Sequence, residues 1–278
     1  MSFYGVVKRD EILTNVSVSW PNAGFVSNIL FPTVKVKKQS SKYTVFGRES
    51  WIAETSDYRA PGSVANEIPG LGVSLDTYFA QEHALQVPIA DEDRENENNP
   101  FNPDRDATEF LTQKILLGKE LMTKNLVTTV ANYASGLSIT LSGTQQFSDY
   151  ANSDPITVFN NAKLAVHAKL FAEPNVALIP YTVMAVLENH PKILDRIKYV
   201  REAVLTPQII ASVLGIEKVI VPSVGLGTGT STTSISLSYL WGKDIVLAVV
   251  PPRAGLRIPA FGYEFNWTIQ GKDMIVVS

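Results

Sequence analysis

Cysteine is absent from this sequence of 278 residues, and histidine occurs only three times. The lack of cysteine excludes disulfide bonds, thiolate nucleophiles, iron–sulfur clusters and cysteine zinc sites. The formal net charge of −3 gives no global basic field that would attract nucleic acid or an anionic membrane. The longest apolar run, IVLAVVPP at residues 245–252, is too short to span a bilayer and predicts a buried strand. No signal peptide is recognisable at the N-terminus, so we expect a soluble protein made in a cytosol.

Sequence motifs for catalysis are also missing. Neither a Gly-x-Ser-x-Gly elbow nor a phosphate-binding loop occurs, and His83, His167 and His190 are isolated along the chain. The glycines of GLGTGT, at 225, 227 and 229, are followed by strand-like alternation rather than by a helix, which predicts a hairpin or surface loop. Pro191 follows His190 directly, so we interpret this histidine as a structural residue that closes a helix.

Alternating sequence predicts a long two-stranded ribbon near the N-terminus. Residues 33–52 alternate, residues 53–72 contain two Pro-Gly pairs, and Val73, Leu75, Thr77 and Phe79 then fall on one face. The preceding residues 1–32 show no sustained period and are expected to form an arm or loop. A lone hairpin is marginally stable at best. The ribbon is therefore expected to pack either on its own domain or across another subunit.

An acidic segment and a long helix come next. Residues 91–109 carry eight acids and two arginines, but Asn96 and Asn102 stand where a calcium loop requires glycine and a bidentate acid. We therefore expect a solvated or salt-bridged loop. Asp106 and Glu109 form a capping box that predicts a helix over 106–133, about 40 Å long.

The remaining elements are a helix after Asp154, a buried strand at NVALIP, two short helices broken at Pro191, and a helix capped by Thr206 and stopped by Gly215. Strands are predicted at IEKVIVPSV, SISLSYLW, DIVLAVVPP, FGYEFNWTIQ and DMIVVS. The fold class is therefore predicted to be α+β.

The order of these segments resembles the major capsid protein of tailed bacteriophages, which has the HK97-like fold. The passage ALIPYTVMAVLENHPKILDRIKYV, followed by LTPQIIASVLGIEKVIVPSV, is similar to a strand–helix–His-Pro–helix–strand passage of that family. VPIADEDRENENNPFNPDRDATEFL is similar to the family's approach to its spine helix. The resemblance covers nearly the whole chain.

The resemblance implies a domain plan for this chain. Residues 1–32 would be the N-terminal arm and 33–90 the extended loop. A peripheral domain would span 91–173 with its spine helix at 106–133, an axial domain would span 174–250, and strands of 251–278 would return to the peripheral domain.

The resemblance also implies a structural role rather than an enzymatic one, with no cofactor or metal. The chain would assemble with copies of itself into hexamers and pentamers of an icosahedral shell that encloses double-stranded DNA, contacted without sequence specificity. Assembly would occur in the bacterial host cytoplasm, with a portal protein and scaffolding or decoration proteins as partners and no membrane. The alternatives are an encapsulin-type cellular compartment and, more distantly, an enzyme built from the histidines and the acidic loop.

Opposite charges suggest how neighbouring subunits would meet. Basic residues on the ribbon would pair with acids of the 91–109 segment, setting register more than strength, because exposed ion pairs contribute little. The candidate intersubunit residues are Lys35, Lys37, Lys38, Lys42, Arg48, Trp51, Asp91, Glu92, Asp93 and Glu95.

Overall fold

The computed structural model describes residues 24–47, 52–55, 57–68, 70–95, 102–198, 206–228, 236–255, 258 and 260–268. The chain divides into two compact units. The first comprises Met1–Pro32, His83–Pro252 and Pro259–Gly262, and the second comprises Thr33–Glu82, Arg253–Ile258 and Tyr263–Ser278. Helices and strands occur together, which confirms the predicted α+β class.

The described elements follow one another in this order. They are α1 (Ser27–Leu30), β1 (Thr33–Val36), β2 (Ser40–Phe46), β3 (Val73–Phe79), α2 (Asp91–Glu95), α3 (Pro103–Thr128), 3-10 turns at Val130–Asn132 and Gly143–Gln145, α4 (Pro155–Leu170), β4 (Val176–Leu178), α5 (Tyr181–Glu188), α6 (Pro191–Ile197), α7 (Pro207–Leu214), β5 (Lys218–Ile220), β6 (Gly225–Thr228), β7 (Ser236–Tyr239), β8 (Val246–Ala248) and β9 (Glu264–Trp267).

A three-stranded sheet of order β5-β4-β8 lies at the centre of the first unit. The central strand β4 runs parallel to β5 and antiparallel to β8. All three of its residues are buried, so both faces of the sheet are covered. Ala177 joins a cluster formed mainly by helices α4 to α7. Val176 and Leu178 point to a second cluster, which includes α1 residues, Val127 of α3 and Trp241.

Residues 24–32 are part of this core. The sequence predicted an arm or loop, but α1 forms one helical turn, and Val26 and Leu30 are fully buried in the second cluster. Four residues are too few for any periodicity to reveal a helix. The earlier residues of the predicted arm, 1–23, lie outside the described residues.

The long helix α3 begins and ends earlier than predicted. Asn102 is the N-cap, its side chain accepts a hydrogen bond from Arg105 N–H at 2.9 Å, and Pro103 occupies the first position. This Asn-Pro pair is a stronger start signal than the capping box at Asp106, which lies inside the first turn. The helix is therefore 103–128 rather than 106–133, with 26 residues.

Side chains from the following turn explain where α3 ends. Asn132 Nδ2 donates to the Leu126 carbonyl at 2.8 Å, and Tyr133 Oη donates to the Val127 carbonyl at 2.6 Å. These bonds satisfy carbonyls that have no partner within the last turn of a helix. The residues up to Tyr133, which were predicted to be helical, instead cap the helix end.

Four shorter helices agree with the predictions, two from their caps and two from the break at Pro191. Asp154 accepts from Thr157 N–H at the start of α4, and Thr206 accepts from Ile209 N–H at the start of α7. Gly215 follows α7 in the left-handed conformation, with a φ of 62°. Helices α5 and α6 are separated at Pro191, as predicted.

Strand β1 does not belong to the ribbon. In the second unit β1 pairs in parallel with β9, from Thr33 opposite Glu264 to Val36 opposite Trp267. Bends at 37–39 separate it from β2, which is the strand that pairs with β3. The prediction that residues 33–52 as a whole belong to the two-stranded ribbon was wrong for β1, because alternation identifies strands but not their partners. The last predicted strand, DMIVVS, lies outside the described residues.

The glycine-rich segment forms a hairpin, as predicted. Strand β6 pairs with β7 in antiparallel fashion, with Gly225 opposite Tyr239 and Gly227 opposite Leu237. Gly229 lies outside the described residues. A strand at this place supports the prediction that the glycines do not open a dinucleotide site, because that site requires a helix N-terminus.

Candidate functional site

The ribbon, which consists of β2, β3 and the segment that joins them, has two chemically different faces. Its register runs from Ser40 opposite Phe79 to Phe46 opposite Val73, and directly opposite residues share a face. One face carries Tyr43 and Tyr78, whose rings lie 5.3 and 4.6 Å from the ring of Phe265 in β9. This face is therefore held against the small sheet of the second unit.

The opposite face is apolar and uncovered by the described part of the chain. Val73, Leu75 and Phe79 are 53%, 64% and 65% exposed. The sequence placed these residues on one face, and the register confirms it. The same face also carries Thr77 and Lys42, which are directly opposite each other. Exposed apolar side chains grouped on one face are typical of sites of interaction with another protein or a membrane.

The segment that joins the two strands adds further exposed apolar side chains. Ile52, Tyr58, Val64 and Ile68 are all exposed. A turn at Pro61 is closed by the Ser63 N–H, which donates to the Ala60 carbonyl at 3.1 Å. The broad tip expected from its Pro-Gly pairs therefore presents apolar groups outward.

The predicted basic residues lie on exposed positions of the second unit. Lys35 is on β1, Lys37 and Lys38 are in the bend after it, and Lys42 is on β2, on the apolar face of the ribbon. Arg48 and Trp51 lie outside the described residues, so their places stay predictions.

The predicted acidic residues form a short helix rather than only a loop. Asp91, Glu92 and Glu95 are exposed on α2, and the side chain of Asp93 lies outside the described residues. Arg94 bonds within the chain, to Asp91 at 3.3 Å and to Asp104 at 2.8 Å. Its hydrogen bond to Asp104 is the main cause that raises the pKa of Arg94. The predicted salt bridges are thus present, and those among the described residues lie within one chain.

A buried carboxylate that sequence reasoning missed links three parts of the first unit. Glu120 of α3 is fully buried, and its Oε1 accepts from Trp241 Nε1–H at 2.9 Å. Its Oε2 accepts from Ser27 N–H at 3.0 Å, and both oxygens lie 3.1 Å from Val26 N. Val26 is the N-cap of α1 and has no capping bond of its own side chain. The carboxylate therefore acts as the cap for α1.

One signal for Glu120 was present in the sequence. It stands three residues after Leu117 and directly before Leu121, and both leucines pack against the second core cluster. An acid on an apolar helix face requires a partner, because a buried charge without hydrogen bonds is very costly. The identity of its donors, which lie more than 90 residues away in the chain, has no local signal.

His190 has a structural role, as predicted, although it begins a helix rather than ends one. It is fully buried and caps α6, with Nδ1 accepting from Lys192 N–H at 3.2 Å. Its Nε2 lies 3.0 Å from Ser153 Oγ, which itself donates to the Asp149 carbonyl at 2.6 Å. Since the serine hydrogen is used there, Nε2–H of the neutral ring must donate to Ser153.

Burial lowers the pKa of His190 below its usual value, and the positive charge of Lys192 adds to this effect while Asp154 opposes it. The ring is thus held neutral with both nitrogens occupied by structural hydrogen bonds. Asp195 and Arg196, which follow on α6, are exposed, and Asp195 contacts Lys198 at 3.2 Å.

The described residues hold neither a metal-binding cluster nor a membrane-spanning helix. The described residues contain no cluster of three or more histidine, aspartate or glutamate side chains arranged to bind a metal ion. His83 and His167 are exposed, and His167 packs its ring edge against Phe171. In the described part of the chain, every helix falls short of the length and apolarity that a membrane span requires.

Comparison with known proteins agrees with the resemblance inferred from the sequence. No protein-family model matches the chain. The chain is 28% identical over 269 residues to a protein named major capsid protein from Burkholderia phage BcepMu, which covers 96% of this chain and 85% of the relative. It is also 28% identical over 235 residues to the major capsid protein of Pseudomonas phage JBD67, covering 84% of this chain and 74% of the relative.

In structure, the chain is similar to a phage-related protein from Bordetella bronchiseptica, with a TM-score of 0.66 and 24% identity. That similarity covers 94% of this chain and 84% of the other, so it shows a shared fold. The chain is therefore similar to phage major capsid proteins along most of its length, which confirms the predicted resemblance and supports a structural capsid role.

Proposed function

We propose that this protein is the major capsid subunit of a tailed bacteriophage. It self-assembles into hexamers and pentamers of an icosahedral shell around double-stranded DNA. The observation that carries the proposal is the apolar ribbon face of Val73, Leu75 and Phe79, which the described part of the chain leaves in water. A neighbouring copy that covers this face removes it from water, and in a closed shell each copy both gives and receives that contact.

The energy of such a contact is modest for one copy and large for a shell. Completing the burial of Leu75 or Phe79 contributes roughly 1–2 kcal/mol each, from the usual value per unit of apolar area. Each subunit of a shell has several neighbours, so all of its contacts must break together before it leaves. Weak contacts of this size also permit a misplaced subunit to dissociate during assembly.

Charge sets the register of this contact in our proposal. The exposed Lys37, Lys38 and Lys42 of one copy face the acids of the 91–109 segment of a neighbour. Replacement of Lys37 and Lys38 by glutamate is expected to lower assembly yield at low salt, and added salt is expected to reduce the difference from wild type. Yields that respond neither to salt nor to this double change would contradict the charge pairing.

The remaining parts of the proposal follow the domain plan of the resemblance. Residues 1–32 act as the N-terminal arm, 33–90 as the extended loop, 91–173 as the peripheral domain and 174–250 as the axial domain, with 251–278 returning. A portal protein and scaffolding or decoration proteins are the expected further partners. The protein is located in the capsid of the virion, after assembly in the bacterial cytoplasm.

The experiment compares two neighbouring positions of the ribbon. Leu75→Asn places an asparagine on the exposed apolar face, whereas Ser74→Asn places an asparagine on the opposite face. The full-length chain is expressed, and particles are measured by sedimentation and electron microscopy. Wild type and Ser74→Asn are expected to form closed particles, and Leu75→Asn is expected to remain dissociated although it folds.

The proposal fails if the wild-type chain stays a small oligomer under all assembly conditions. Equal particle yields from the two variants would show that the ribbon face does not carry assembly. Particles from the native host that contain protein cargo instead of DNA would favour the encapsulin-type compartment.

A further inference from the structure

The hairpin of β6 and β7 carries a second apolar surface, which is independent of the ribbon. Leu237 is 81% exposed, more than any other large apolar side chain described in the first unit. Tyr239 lies on the same face of β7, and its ring centre lies 5.9 Å from that of Tyr181, the first residue of α5, with the two rings tilted by 32°. These three side chains form the hairpin patch.

The opposite strand leaves the hairpin patch open. Leu237 and Tyr239 stand opposite Gly227 and Gly225, so β6 has no side chain on this face. The other face of the hairpin carries Leu226, which packs against the second core cluster. The patch therefore faces away from the core to which the hairpin is attached.

Neither the backbone conformation nor the packing of the chain requires a glycine at position 225. A Cβ at this position would meet no heavy atom within 4 Å, and its φ is not in the left-handed range. Gly225 begins β6, and a glycine in a strand often marks a place where another backbone approaches closely. The space beside Tyr239 is therefore open on the side where a partner would lie.

We infer that the hairpin patch is a contact surface for a second copy of this chain. The inference rests on the proposed function, because the relatives named as capsid proteins make other copies the expected neighbours. The patch has no charged side chain, which disfavours nucleic acid as its occupant. Its exposed area is roughly 300–450 Å² for side chains of this size. That is less than the about 800 Å² per partner of a standard interface, so it fits one of several contacts around a subunit rather than a dimer.

The absence of cysteine allows a direct test. Leu237→Cys places a thiol in the patch, and Ser238→Cys places one on the adjacent residue, which is also exposed but on the opposite face. Maleimide labelling is measured for each variant in dissociated chains and in assembled particles. We expect labelling of Leu237→Cys to be at least about tenfold slower in particles, with a much smaller change for Ser238→Cys.

A second variant tests the open space at Gly225. Gly225→Val is expected to keep the circular dichroism and melting temperature of the wild-type chain, because a Cβ there meets no heavy atom within 4 Å and the φ is not in the left-handed range. Its particle yield is expected to fall at least about tenfold, because the added side chain keeps the second copy away. A Leu237→Cys chain that folds but forms no particles supports the inference equally.

The inference is overturned if wild-type-like particles form and the Leu237→Cys thiol reacts in them as fast as in dissociated chains. Equal protection of Leu237→Cys and Ser238→Cys overturns the assignment to this face, and so does a normal particle yield from Gly225→Val. A wild-type chain that forms no particles is a different result, because it refutes the proposed function itself.

Discussion

Replacement of Glu120 by glutamine tests whether the buried carboxylate holds the first unit together. The side chain keeps its size, but one oxygen becomes an NH2 group that must face N–H donors of Val26, Ser27 or Trp241. At least one hydrogen bond to a charged acceptor is lost and the others are weakened, each worth about 1.5–3 kcal/mol. We expect the free energy of unfolding to fall by about 2–4 kcal/mol.

The assay is urea denaturation of dissociated chains, followed by circular dichroism. Glu109→Gln is the matched control, because Glu109 is on the same helix, is exposed and forms an ion pair at 3.0 Å with the exposed Arg105. Amide hydrogen exchange adds a local measurement, since the amides of Val26 and Ser27 should lose protection in Glu120→Gln. A denaturation midpoint like that of Glu109→Gln, with both amides still protected, would refute the capping role.

Further predictions concern four single positions of the first unit. Gly118→Ala in α3 should raise the free energy of unfolding by about 1 kcal/mol, because a Cβ at Gly118 meets no heavy atom within 4 Å. Gly215→Ala should lower the free energy of unfolding, because Gly215 has a φ of +62°, which alanine rarely adopts. Phe171→Gly should raise it by roughly 0.5–1 kcal/mol, since Phe171 has a φ of 48°; a lower melting temperature would contradict this. The pKa of His190 is lowered from 6.5 on folding, so as the pH falls the unfolded chain binds a proton before the folded chain does. The free energy of unfolding should therefore be highest above pH 6.5 and should decrease as the pH falls towards the pKa of the folded chain. Denaturation at a series of pH values should show a smaller loss for His190→Asn, which keeps an N-cap without a titrating ring.

The sequence is most informative where a few adjacent residues decide the structure. The caps at Asp154 and Thr206 and the stop at Gly215 depend on backbone groups within three or four residues, and all were predicted correctly. The start of α3 is harder to predict, because two cap signals compete there. Asn102 and Asp106 are both good caps four residues apart, and Pro103 decides in favour of the first, because it fits the first helical position and cannot donate.

Pairings between distant segments could not be predicted from local patterns. Strand β1 meets β9 about 230 residues later, as Thr33 opposite Glu264 shows, and nothing in either strand specifies the other. Glu120 similarly bonds to Val26 and Trp241, which lie 94 and 121 residues away. Such contacts depend on how the whole chain folds. The length of the loop between two partners gives little guidance, because the entropy cost of closing a loop changes only slowly with its length.

The ribbon shows a more specific limit, which concerns the meaning of alternation. Alternation identified its two faces correctly, and the usual expectation is that the more apolar face packs on the core of the same chain. Here Tyr43 and Tyr78, on the face that also carries Asp76, pack against Phe265, whereas Val73, Leu75 and Phe79 stay exposed. The aromatic face can tolerate partial hydration, because Tyr43 Oη donates to Asp76 at 2.9 Å. An apolar face left outward costs free energy in a solitary chain, so this inverted arrangement is expected of a subunit whose fold is completed by its neighbours.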